Sequence, residues 1–335
     1  MANKGEQTVT FNKDISIIST ASVVGPKEGQ GPLKDHFDIV LDDIMAGEKS
    51  WEKAESQIAN KSLDLAVRKS GVGISSIDYI LAGDLLNQST GSIFGIREFE
   101  RPYLGIFGAC SAMGLGMGMG AMILEGGFGK NVLVGASSHF CAAEKQFRYP
   151  LELGSQRPPT STTTVTGCGS AVLSTVKQEG PRIKAITTGK MVDMGIKDHT
   201  NMGAAMAPSA VDTMLAHFKD LNIGPDHYDV IATGDLGYVG HELVTTLMEK
   251  EGYTMPNYVD CGILIYDKNT QDTHCGGSGC ACSGVTFAGY LYKRLMEGDI
   301  KRLLFIPTGA LMSPLSVQQK ESIPGIAHAV AIEAA

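Results

Sequence analysis

Cys110 is the residue best placed to do chemistry. An apolar run at 104–107 ends in Gly108 and Ala109, and a segment rich in glycine, methionine and alanine follows the cysteine as far as Gly126 and Gly127. That order predicts a buried strand, a sharp turn and a buried helix over 113–124, with the thiol at the helix N-terminus. Free backbone N–H groups and the positive helix end there favour a thiolate, below the free-cysteine value of about 8.5. A nucleophile of thioester chemistry would be placed this way. So would an inert core cysteine, the usual fate of this residue type.

Other candidates surround this one in the pattern. Asp84 and Asp235 end two matching strands, where α/β sheets bind ligands. Each could meet a cation such as calcium, which takes oxygen ligands, or bond its own turn. The turn-capping role is expected for Asp235, and both roles stay open for Asp84. The turn at 278–282 opens a second helix, so Ser278 and Cys280 join Cys110 where N–H groups are offered to carboxylates. Thr166, Thr233 and Thr308 could add hydroxyl donors. Arg148 and Lys190 are candidate cations, each equally readable as an ordinary surface or structural charge. His139 is either a pocket residue or a structural histidine. Cys275, Cys280 and Cys282 with His274 invite a zinc reading, but C-x4-C-x-C is not a standard spacing, so no metal is expected.

The elements that must hold these residues follow from periodicity. A helix starts after Ser50, carries Trp51, Ala54, Ile58, Leu65 and Ala66 as its apolar stripe, and stops at Gly71. Strands are expected at 16–24, 77–82, 131–135, 183–189 and 230–233. In the second half, helices are expected with Pro208 at the start of one, over 241–250, and over 282–296. Gly114 with Gly118, and Gly116 with Gly120, give smooth faces that would let another helix approach. Between Arg101 and Glu125 lie 23 uncharged residues, but Pro102, Gly105 and Gly108 break the run, so a strand plus a core helix is expected rather than a span.

The halves echo each other. Residues 78–85 read DYILAGDL and 229–236 read DVIATGDL, an offset of 151. Ala109-Cys110-Ser111 returns as Ala281-Cys282-Ser283, and Glu125-Gly126 as Glu297-Gly298, both at an offset of 172. The difference implies about 21 extra residues in the second half, which fit 253–274 as an inserted pair of strands. Two similar α/β halves follow, 1–182 and 183–335.

Composition narrows the classes. With 43% apolar and 19% charged residues the chain is globular rather than disordered. The net charge is −8 and no Lys/Arg cluster is evident, which argues against nucleic-acid binding. Seven cysteines, an odd count at irregular spacing, fit a reducing compartment rather than a disulfide framework. Residues 1–14 have no apolar h-region, so no signal peptide is expected, and there is no lipid-anchor motif.

A duplicated α/β unit with a cysteine at the start of the first central helix resembles the thiolase fold. The resemblance implies a five-layer α-β-α-β-α sandwich related to β-ketoacyl synthase III-type condensing enzymes, in which the cysteine accepts an acyl group. A nearer resemblance is to the stage V sporulation protein AD family of endospore-forming bacteria. It is carried by VVGPKEGQGPL (23–33), SWEKAE (50–55), LAGDLLNQ (81–88), FGACS (107–111), QFRYP (146–150), TVTG (164–167), AMAPSA (205–210), GGSGCACS (276–283), TGALMSP (308–314) and QQKESIPGIAH (318–328). It implies a non-catalytic protein that binds dipicolinate (pyridine-2,6-dicarboxylate) and helps move it into the developing spore. The implied partners are integral-membrane proteins of the same operon, which would hold it at the spore inner membrane. No cofactor is implied, calcium could accompany the ligand, and a homodimer is an expectation by analogy.

The catalytic set that such enzymes use is broken in this sequence. Condensing enzymes pair the thiol with a His and an Asn, or two His, that stabilise developing charge. The His would follow 230–233, where Gly234 and Asp235 stand, and no Asn occurs near 277–279. Thiolases use a second cysteine in the loop that here is 308–312, which has none. The alternative is an active acyltransferase or condensing enzyme in which Cys110 acts with His241 or His139.

Overall fold

The computed structural model describes residues 2–3, 5–147, 157–177 and 179–335. The first half builds a sheet from β1 (Thr8–Val24), β2 (Tyr79–Gly83), β3 (Tyr103–Gly105), β4 (Asn131–Ser138) and β5 (Gly167–Ser174), in the order β3-β2-β4-β5-β1. The second half builds one from β6 (Arg182–Thr188), β7 (Val230–Thr233), β8 (Tyr258–Asp260), β9 (Arg302–Ile306) and β10 (Gly325–Glu333), in the order β8-β7-β9-β10-β6. The two orders are the same, and so are the directions. In each sheet the three strands on one side pair parallel and the other pairings are antiparallel. The 17-residue β1 joins the sheets, pairing with β5 from Ser16 to Val24 and with β6 from Thr8 to Ser16.

Helices make the remaining layers. α1 (Trp51–Ser70) begins at the Ser50 cap, whose hydroxyl accepts the Lys53 N–H, and ends at Gly71 with φ of 69°. It covers the outer face of the first sheet through Ala66, Leu63 and Val67. α2 (Ala112–Glu125) lies between the sheets, with Met113 and Met117 in one core with Val132 and Val134 of the first and Ile186 and Val330 of the second. α3 (Met202–Leu221) and α4 (Gly237–Lys250) close the outer face of the second sheet through Met206, Met214, Phe218 and Val244. α5 (Cys280–Thr286) joins α2 in the middle layer and continues through Phe287–Leu291 into Tyr292–Glu297. The result is a five-layer sandwich.

Three expectations change. The α2 glycines admit sheets rather than a helix: a Cβ at Gly116 would meet Val134 of the first sheet at 2.6 Å, and one at Gly114 would meet the His328 carbonyl of the second at 3.0 Å. The stretch expected as an inserted strand pair has one strand, β8, which is the counterpart of β3 rather than an insertion, followed by a short helix, Cys261–Leu264, which Asp260 starts by accepting the Gly262 N–H. Pro208 lies inside α3 rather than at its start, because Asn201 caps the helix further upstream by accepting the Ala204 N–H.

Candidate functional site

The turn before α2 is held in a strained shape. Ala109 adopts φ of 47°, a left-handed conformation that residues with a Cβ rarely take. Two contacts fix it. The Ser111 hydroxyl donates to the Gly108 carbonyl at 2.6 Å. The strand Thr308–Ala310 passes so close that a Cβ at Gly309 would lie 2.2 Å from the same carbonyl. Only glycine fits there, which gives the TGALMSP stretch a reason beyond its hydroxyl.

Cys110 and Asp235 meet at this turn. The Cys110 thiol lies within electrostatic reach of the Asp235 carboxylate and of the Gly279 N–H. The same carboxylate accepts the Ser278 hydroxyl at 2.9 Å, the Gly279 N–H at 3.0 Å and the Thr308 hydroxyl at 3.2 Å. Cys280 donates its thiol to the Ala109 carbonyl at 3.0 Å. Turns of both halves thus converge on one buried carboxylate.

Electrostatics reverses the expectation for the thiol. Burial, and then the negative Asp235, push the Cys110 pKa well up, and the Gly279 N–H offsets only part of this. The helix-end effect expected from sequence is outweighed, and Cys110 is a thiol. Burial also pushes Asp235 up, to about 7, with Asp260 adding to it and the bonds from Cys110, Gly279 and Ser278 opposing it. The proton therefore stays on sulfur rather than passing to the carboxylate.

Residues 5–333 match the family described as Stage V sporulation protein AD (SpoVAD). The chain belongs to that family. Stage V sporulation protein AD of Bacillus subtilis (strain 168) is 44% identical over 332 residues, spanning 99% of this chain and 98% of that one. Among solved structures, cerulenin-soaked OleA of Xanthomonas campestris matches with a TM-score of 0.64 at 15% identity, over 97% of this chain and 100% of that one. A cysteine-to-alanine variant of OleA gives 0.64 at 14% identity, over 99% of each chain. At that identity the likeness is one of fold, and the fold is thiolase-like α/β. The role is one in sporulation. Among the described residues no helix is long and apolar enough to cross a membrane.

In this sporulation protein the residues singled out from sequence divide into groups. Cys110, Ser278, Cys280 and Thr308 come together around Asp235. Asp84 does not face them with a free oxygen: one accepts the Leu86 N–H at 2.8 Å and the other the Ser92 N–H at 2.7 Å. Thr233 donates to Asp260 at 2.7 Å. Thr166 accepts the Phe140 N–H at 3.0 Å, and its own N–H goes to buried Glu28. His139 has both ring nitrogens engaged, Nε2 with the Ile44 carbonyl and Nδ1 with the Ala142 N–H, and burial lowers its pKa. Lys190 is exposed and paired with Asp212 at 2.9 Å, and Arg148 lies outside the described residues.

Asp235 has the opposite role to the one expected, because Asp260 caps its turn instead. Asp260 accepts the N–H groups of Leu236, Gly237 and Gly262. Sequence reasoning missed that exchange. Asp260 ends β8, whose counterpart β3 has Gly105 at the equivalent place, so the repeat carries no matching acid to point to it. The three thiols of the zinc reading diverge: Cys275 accepts the Val239 N–H, Cys280 faces Ala109, and Cys282 donates to the Gly234 carbonyl. Among the described residues no group of three or more His, Cys, Asp or Glu could hold a metal.

Proposed function

We propose that this protein binds dipicolinate at the Cys110–Asp235 turn, without catalysing its conversion, and supports its uptake into the developing spore. The observation that carries the reading is the partner of the thiol. A condensing enzyme lowers the barrier with a base and donors that stabilise an enolate. Cys110 instead faces a carboxylate, which disfavours a thiolate and a developing anion alike. Membership of the sporulation family supports the biological half of the reading. When Asp235 is protonated, its carboxyl can donate to a ligand carboxylate, while Ser278, Thr308 and the Gly279 N–H hold it in place. Calcium bridging would suit the ionised form, through carboxylate oxygens. Membrane proteins of the same operon would complete the path, and a homodimer fits the fold by analogy.

Isothermal titration with dipicolinate, with and without calcium, tests this. Heat of binding is expected for the native chain, weakened in Cys110→Ala with unchanged thermal unfolding. Mass spectrometry after incubation with acyl-CoA is expected to show no adduct on Cys110. An acylated Cys110 with turnover lost in Cys110→Ala would replace the binding reading with an acyltransferase, and absence of heat under both conditions would leave a scaffold.

A further inference from the structure

The Cys110 site is rich in acids, and a dianion needs a cation. The acids bearing on it are Asp235 and Asp260, with Asp84 and Glu55 raising the Cys280 thiol. Basic side chains gather one short strand away. Thr163–Thr164 runs parallel to Gly277–Ser278, which carries the hydroxyl that bonds Asp235. Arg157 donates to the Thr163 hydroxyl at 3.1 Å through one guanidinium nitrogen and to the Asp272 carboxylate at 3.1 Å through another, and its side chain is 15% exposed. Lys27 donates to the Asp272 backbone carbonyl at 3.0 Å, beside the Tyr266 ring. His274 Nε2 lies 3.1 Å from the other Asp272 oxygen.

Three basic side chains thus gather at one largely exposed acid. Glu28, the other acid bearing on Lys27, is buried and bonded to the Thr166 N–H and the Tyr266 hydroxyl, and burial pushes it toward its neutral form. Lys27 is pushed down by burial and next by Arg157, with Asp272 and Glu28 opposing the shift. Among the described residues, donors are left over: a guanidinium has five N–H groups and an ammonium three, and the bonds above use two and one of them. We propose that Lys27, Arg157 and His274, gathered at Asp272 beside the strand that pairs with Gly277–Ser278, form an oxyanion station, which takes one carboxylate of a planar aromatic dicarboxylate. Arg157 supplies the fork geometry and Lys27 the point charge.

The ligand class rests on the dipicolinate reading, so inorganic sulfate serves as a second probe. Calorimetry with both anions is run on the native chain and on Lys27→Met/Arg157→Gln, with thermal unfolding as the check on folding. The double variant is expected to lose about tenfold or more in affinity for each anion. The neutral isostere pyridine-2,6-dicarboxamide is expected to bind both proteins alike. Lys27→Met alone, at a half-buried lysine, is expected to keep the fold and lose about threefold, which keeps the test open if the double variant unfolds. Unchanged affinity of the variants for both anions, or no binding of either to the native chain, overturns the station. Sulfate binding that the variants lose, without any dipicolinate binding, upholds the station and overturns the dipicolinate reading.

Discussion

Asp84 and Asp235 close the same repeated Gly-Asp-Leu at the ends of equivalent strands, yet one holds its own turn and the other faces the site. The difference comes from the neighbouring strand. In the second sheet Thr233 lies opposite Asp260, and in the first Ala82 lies opposite Gly105 at the equivalent place. Gly105 has no side chain to offer, so Asp84 must bond the Leu86 and Ser92 N–H groups itself. Asp260 takes the corresponding task from Asp235, whose carboxylate turns to Cys110, Ser278 and Thr308. A duplicated fold thus gains a functional carboxylate in one half by adding a structural one beside it.

The strongest way to break that comparison is to remove each acid in turn. Asp84→Ala strands two buried N–H groups at about 1–3 kcal/mol each, so a loss of about 2–6 kcal/mol in urea unfolding is expected. Asp260→Ala strands three and is expected to cost at least as much. Asp235→Asn keeps an acceptor for Ser278 and Gly279 and removes a buried charge, so its stability is expected to stay within about 1 kcal/mol of native while dipicolinate affinity changes. An Asp235→Asn variant as unstable as Asp84→Ala would show that both acids are structural.

Buried histidines occur in both halves: His139 in the first, lowered by burial, and His217 and His328 in the second, each pushed down by burial to about 4. His328 accepts the Gly189 N–H and so must be neutral for that bond, and His217, between the Thr187 and Tyr228 hydroxyls, is kept neutral by burial. A lowered folded-state value means that the unfolded chain binds more protons between 6.5 and about 4. Stability is therefore lost as pH falls through that window, by about 3 kcal/mol per histidine at pH 4. His217→Gln is expected to flatten the acid limb of urea midpoints measured from about pH 7 down to pH 4. A limb as steep as the native one would place the acid sensitivity elsewhere.

Much of this architecture is legible in the residues. The α1 cap at Ser50, its stop at Gly71, the repeated DYILAGDL and DVIATGDL strands, and the cysteine opening a central helix all follow from local chemistry and spacing. The site is less legible because its decisive partners are remote in the chain. Asp235 meets Cys110 only when two turns from different halves are brought together, and Arg157 is tied to Asp272 across 115 positions. The Cys110 pKa departs from the sequence expectation for the same reason. The helix N-terminus is visible in the sequence, whereas the burial and the facing carboxylate that outweigh it are tertiary.

The finest test of the comparison is the pH dependence of binding. Asp235 has a folded-state value raised from 3.8 to about 7, so its protonated form favours folding below 3.8 and that contribution is lost as pH rises through about 7. A bound dicarboxylate adds negative charge at the same place and binds the protonated form better. Affinity is expected to be level below about pH 6 and to fall toward tenfold per pH unit above about 7, or about 1.4 kcal/mol per unit. Cys110 stays a thiol over this range, since burial and Asp235 both raise it, and contributes no slope of its own. In Asp235→Asn the carboxyl proton is gone and the profile should be flat, whereas Asp84→Asn should keep the native slope because its oxygens face backbone N–H groups. Titrations of these three proteins between about pH 5.5 and pH 8.5 decide it. A native profile without a slope would mean that the ligand does not share the site with Asp235, and a slope that survives in Asp235→Asn would assign the proton to another group.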